Sequence, residues 1–74
     1  MKILIIEDEP RVASFIKEGL EEKEYETMVA YDGLAGEQAA LLEPVDLVIL
    51  DLILHGKGGI DVCRAVKERK PDLP

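Results

Sequence analysis

The sequence predicts an α/β unit, an open parallel sheet carrying helices on its faces. Two apolar runs, at 3–6 and 47–50, are rich in branched residues and do not alternate, as in strands covered on both sides. Stretches with apolar residues at helical spacing separate the candidate strands, giving the order βαβαβα, and the right-handed crossover rule then makes the sheet parallel. No internal repeat or interdomain linker interrupts this order.

Each element has a local cause. After the strand at Ile3 to Ile6, Asp8 or Glu9 can cap a helix with Pro10 in its first turn, where a missing N–H costs nothing. Val12, Phe15, Ile16, Gly19 and Leu20 recur at helical spacing, so this helix runs to about Lys23. Tyr25 to Tyr31 forms a second strand with a weaker apolar signal, suited to a sheet edge and closed by Asp32-Gly33. Met28 and the two tyrosines are expected to pack on the sheet. Leu34 to Leu42 is a second helix, ended by Glu43-Pro44. Val45 to Leu50 is the third strand. The loop "HGKGG" leads to a third helix, Ile60 to Lys70, with Ile60, Val62, Cys63 and Val66 inward and Pro71 as its stop.

Composition narrows the function. The 74 residues are 47% hydrophobic with no low-complexity tract, which fits one soluble unit whose core is thin at this size. A net charge of −7 argues against nucleic-acid binding by this segment, which would need basic surface. Cys63 is the only cysteine, so no internal disulfide can form, and "MKILII" is too short for a signal peptide core or a membrane span. A cytoplasmic location is expected.

Both apolar strands end on acid. Glu7 and Asp8 follow the first, and Asp51 follows the third. Ligands of open parallel sheets gather at the carboxyl ends of the strands, so neighbouring first and third strands would bring the three carboxylates into one pocket. Such acids repel one another unless a cation compensates. Oxygen ligands without a Cys or His cluster suit a hard ion, and Mg²⁺ better than Ca²⁺ where waters and a phosphoryl oxygen complete the shell. A carboxylate beside Mg²⁺ can attack phosphorus to give an aspartyl phosphate.

"ILIIEDEPRV", "DLVILDLIL" with its Gly-rich loop, and "GIDVCRAVKE" together resemble the receiver domain of bacterial two-component response regulators, most of all the OmpR-like branch with winged-helix DNA-binding outputs. The resemblance covers residues 1–74 as the N-terminal βαβαβα portion of a receiver. It implies a flavodoxin-like (CheY-like) open parallel sheet, here of three strands in the order 2-1-3 with three helices. Asp51 would accept a phosphoryl group from a sensor histidine kinase and so control an output, taken to be transcription. It further implies that Glu7, Asp8, Asp51 and the backbone carbonyl of Ile53 hold Mg²⁺, Glu7 mostly through a water. The kinase would dock on the first helix through Arg11, Val12, Phe15 and Glu18. That helix's apolar stripe is wider than one buried face requires, which independently allows a partner there.

The departures also carry expectations. Receivers continue for two more βα units, which supply a hydroxyl residue and a lysine to the phosphoryl group. Residues 1–74 contain neither unit and no output domain, so the segment alone is expected to bind Mg²⁺ weakly and to phosphorylate poorly or not at all, with no enzymatic turnover beyond self-phosphorylation from small phosphodonors. His55 stands where the family usually has proline, and is read as an exposed loop residue. Lys57 is read as solvated, and Cys63 as a small core hydrophobe.

Rival readings are of other classes. A dinucleotide enzyme would want glycines after the first strand, where "EDEP" puts acid. A Mg²⁺-dependent phosphatase-type hydrolase usually carries a second acid two residues beyond the first, and that position is Ile53. A structural reading has the third strand's outer edge uncovered, predicting self-association through Val45 to Leu50.

Overall fold

The structure, a computed structural model, describes residues 1–51 and 58–74. The elements follow in the order β1 (Lys2–Ile6), α1 (Pro10–Glu22), β2 (Glu26–Ala30), α2 (Gly33–Leu42), β3 (Leu47–Leu50) and α3 (Gly59–Arg69). The strands form one parallel sheet in the order β2-β1-β3. β1 is central, and Ile3, Leu4, Ile5 and Ile6 are all buried. Helices therefore cover both of its faces, which is why the run does not alternate.

Strand alternation divides the core into two layers. Leu4 and Ile6 join Ala30, Ala40, Val45, Val62 and Val66 in one cluster against α2 and α3, with Met28, Val48, Leu50 and Leu73 packed on it. Ile3 and Ile5 face the opposite layer. α1 packs on β1 and β2, and its Lys17 Nζ donates to Thr27 Oγ1 of β2 at 3.1 Å while pairing with Glu21 at 3.1 Å.

The helix ends follow from their residues. Glu9 caps α1 by accepting from Arg11 N–H at 3.3 Å, with Pro10 at the first position. The helix closes in a Schellman motif: Tyr25 N–H donates to Leu20 C=O and Glu24 N–H to Glu21 C=O. This turn puts Glu24 at φ 67°, a conformation that suits glycine. Asp32 caps α2 by accepting from Ala35 N–H at 2.8 Å.

Several expectations need correction. β3 begins at Leu47 rather than at residue 45, and Val45 is a buried residue of the preceding turn whose N–H donates to Glu43 C=O. β2 is shorter than 25–31, and Tyr25 and Tyr31 are exposed, being flanks of the strand with no layer over them. On α3, Val62 and Val66 are buried, but Ile60 is 61% exposed and Cys63 is exposed. The helix meets the sheet along a narrower stripe than its apolar residues suggest. Cys63 is therefore no core residue; it lines a groove beside β3. On α1 only Ala13 is buried, a small residue that lets the helix lie close on the sheet.

Candidate functional site

The sheet itself assembles the acids. β1 and β3 are adjacent and parallel, with Ile6 paired to Leu50, so both leave the sheet at the same rim. The hydrogen-bond ladder continues one residue further on each. Glu7 N–H donates to Ala30 C=O at 3.0 Å, and Asp51 N–H donates to Ile6 C=O at 3.0 Å. Their backbones are thereby held in the sheet while their side chains stand past its edge. Asp8 follows Glu7 in the short turn before α1.

Glu7, Asp8 and Asp51 each offer a carboxylate oxygen, and the three oxygens lie within 4.8 Å of one another. All three residues are half-buried. Glu7 Oε1 also accepts from Glu9 N–H at 3.2 Å, which ties it to the start of α1. Burial pushes the Glu7 carboxyl above its ordinary value; the Glu9 N–H pulls it down, while a hydrogen bond with Asp51 and the charges of Asp51 and then Asp8 push it up. The rim is thus a place where negative charge is crowded and a proton or a cation is favoured.

A hard cation suits this donor set. Two oxygens bound to one Mg²⁺ stand at most about 4.2 Å apart, twice its ligand distance, so carboxylates this close can share an ion directly or through water. Ile53, expected to lend its carbonyl, lies outside the described residues, as do His55 and Lys57.

The proposed partner-docking residues fall together elsewhere. Arg11, Val12, Phe15 and Glu18 are all exposed on α1, Phe15 at 78%. Arg11, Phe15 and Glu18 border one open hollow of about 410 Å³ with Pro10 and Ser14. Sequence reasoning did not place Pro10 or Ser14 in this surface; the four-residue spacing of Pro10, Ser14 and Glu18 along one helix face was the available signal.

Comparisons with known proteins bear on this geometry. The family model of the response regulator receiver domain matches residues 3–74. Response regulator ArlR of Staphylococcus saprophyticus is 41% identical over 69 residues, which are 93% of this chain and 31% of that protein. The chain thus spans about a third of the length of the curated relatives it matches. Response regulator protein TrrA of Thermotoga maritima, solved in complex with Mg²⁺ and BeF, is 34% identical with a TM-score of 0.93, covering 96% of this chain and 62% of that one. The complex of histidine kinase ThkA with TrrA matches with a TM-score of 0.89 and 34% identity over 96% of this chain and 61% of that one. The three-stranded order 2-1-3 with three helices is the CheY-like receiver arrangement of these neighbours.

Proposed function

The chain belongs to the response regulator receiver domain family, and on that premise we propose that it is the phosphoacceptor part of a two-component signalling protein, with Asp51 as the acceptor. The observation that carries this reading is the convergence of Asp51 with Glu7 and Asp8 at one rim. Attack by an Asp51 carboxylate oxygen on phosphorus breaks the P–N bond of a kinase phosphohistidine. The imidazole leaves and takes up a proton, and an acyl phosphate remains.

Glu7, Asp8 and Asp51, with the Ile53 carbonyl, would hold Mg²⁺. The ion, when bound, neutralises charge on the transferring phosphoryl group. Asp8 and Glu7 themselves orient the site and keep it anionic enough to need that cation. Asp51 stands at the mouth of the rim, anchored by its own N–H to Ile6, so its carboxylate is presented without a mobile backbone.

The kinase would dock on α1 through Arg11, Val12, Phe15 and Glu18. Phe15 is the natural anchor, since a large aromatic ring held mostly in water gains most from burial in an interface. No helix among the described residues is long and apolar enough to cross a membrane, and a cytoplasmic setting suits a kinase partner's phosphorylating domain. Resemblance to the OmpR-like branch makes transcription the proposed output of the whole protein.

Incubation with a small phosphodonor and Mg²⁺, followed by intact-mass and peptide mapping, tests the assignment. At most one phosphoryl group, on Asp51, stable to acid and labile to base, is expected, at low occupancy. Continuous release of phosphate would favour a phosphatase-type hydrolase instead. Labelling of Asp51→Asn equal to that of the parent chain would refute Asp51 as acceptor.

A further inference from the structure

The first turn of α1 is tied to the acid rim by one backbone amide. Glu9 caps the helix, and Pro10, Arg11 and Val12 are its first helical positions. The Glu9 side chain accepts from Arg11 N–H at 3.3 Å, and its carbonyl accepts the first helical bond, from Ala13 N–H at 3.0 Å. Its own N–H donates to Glu7 Oε1 at 3.2 Å.

Position 12 decides that this amide is open to Glu7. A capping residue's N–H is often claimed by a Glu or Gln three residues into the helix, which reaches back to it in a capping box. Here that position is Val12, whose side chain has no acceptor. The N–H is left for Glu7, and a bond that would have served the helix serves the rim. The cap and the first helical bond fix the Glu9 peptide, so a rigid donor meets a long and otherwise rotatable side chain. A ligand oriented before the ion arrives loses less freedom on binding it, which is how partners behind the ligands tune metal affinity.

We propose that Glu9 is a positioning residue of the cation site: the α1 cap fixes its amide, and the amide holds the Glu7 carboxylate beside Asp8 and Asp51. Glu9 acts through Glu7, and its own charge is not what it contributes. Val12 takes part by leaving the amide unclaimed. The proposal rests on the reading of the rim as a Mg²⁺ site and adds the residue that sets the site's affinity.

Titration of the isotope-labelled 74-residue chain with Mg²⁺ alone, followed by nuclear magnetic resonance at the amides of residues 7, 8 and 51, gives the dissociation constant. Glu9→Ala removes the cap and should raise this constant roughly tenfold. Glu9→Ser, neutral but able to cap through its hydroxyl, should keep it near the parent's. Val12→Gln should raise it several-fold without lowering stability, because Gln is the better helix former and takes the Glu9 N–H for itself. Val12 is exposed, so the change disturbs no core. Affinity lost at undiminished stability is an effect that a purely structural cap does not produce. Val66→Ala, a core truncation across the sheet from α1, should lower stability and leave the constant unchanged. In chelator, Glu7→Ala should move the residue 9 amide proton upfield through loss of its acceptor.

Glu9→Ala or Val12→Gln binding Mg²⁺ as tightly as the parent overturns the proposal and leaves the Mg²⁺ reading standing. So does Glu9→Ser or Val66→Ala losing as much affinity as Glu9→Ala, or an unmoved residue 9 amide in Glu7→Ala. No response at residues 7, 8 and 51 of the parent chain to any Mg²⁺ concentration overturns the Mg²⁺ reading, and the proposal with it. Should circular dichroism show Glu9→Ala unfolded, Val12→Gln and Glu7→Ala decide.

Discussion

Gly36 of α2 lies directly on Ile6 of β1: a Cβ built on the glycine would stand 2.6 Å from both Cδ1 and Cγ2 of the isoleucine. Real carbon atoms do not approach so closely, and Ile6 is fully buried with no room to withdraw. Gly36→Ala should therefore destabilise the fold by roughly 1–3 kcal/mol, the usual cost of overpacking. Chemical denaturation would show it, and Gly36→Ala paired with Ile6→Val should recover part of the loss.

Glu24 presents the opposite case. It holds φ 67° in the turn after α1, a conformation that costs a side-chain-bearing residue about 1–2 kcal/mol. Glu24→Gly relieves this strain and should stabilise the chain by roughly 1 kcal/mol, about 4–8 °C in melting temperature for a domain of this size. No gain on thermal denaturation would mean that the Schellman turn has another source of support.

Asp32 accepts the Ala35 N–H that α2 leaves unpaired at its first turn. Asp32→Ala should cost about 0.5–2 kcal/mol, while Asp32→Ser should keep most of the stability, and a denaturation series compares the two.

The crowded rim predicts a pH dependence. The Glu7 carboxyl is raised in the folded state by burial and by its acidic neighbours, so above its ordinary value the folded chain binds more protons than the unfolded one. Stability from this group is then present at low pH and falls as pH rises from the unfolded value through the raised folded one. In chelator, Glu7→Gln should flatten that decline, and Asp51→Asn should raise stability at neutral pH by removing a repelling charge. Mg²⁺ at ten times its dissociation constant should stabilise the parent chain by roughly 1.4 kcal/mol. An Asp51→Asn chain that gains as much from Mg²⁺ as the parent would speak against the acid cluster as the ion's site.

Phe15 is 78% exposed, and its removal should leave the fold within about 0.5 kcal/mol of the parent. If α1 docks a histidine kinase, Phe15→Ala should weaken that binding by about 2 kcal/mol or more, as loss of a central aromatic anchor does. Titration calorimetry with a kinase phosphotransfer domain checks this against labelling from a small phosphodonor, which the substitution should leave unchanged.

Much of this was legible along the chain because the causes are local. Ile3 to Ile6 announces a central strand through its unbroken apolar run, and all four residues are buried. Pro10 and Asp32 mark helix starts through backbone chemistry that acts within three residues. The acids at 7, 8 and 51 drew attention because charge directly after a buried strand is out of keeping with its surroundings. Failures came where an outcome depends on what lies opposite. Ile60 and Cys63 have the hydrophobicity of core residues, yet α3 turns them out because only Val62 and Val66 find the sheet beneath them. Gly36 gave no sign of its contact with Ile6, thirty positions away.

By itself the sequence determined the kinds of element, their order, and which side chains carry the chemistry, since propensity, capping and apolar periodicity are properties of neighbouring residues. Only the tertiary structure decided that Asp51 stands beside Glu7 and Asp8 and that β3 lies next to β1. Those relations arise when strands distant in the chain pair side by side, and that pairing is set by the energy of the whole packed sheet.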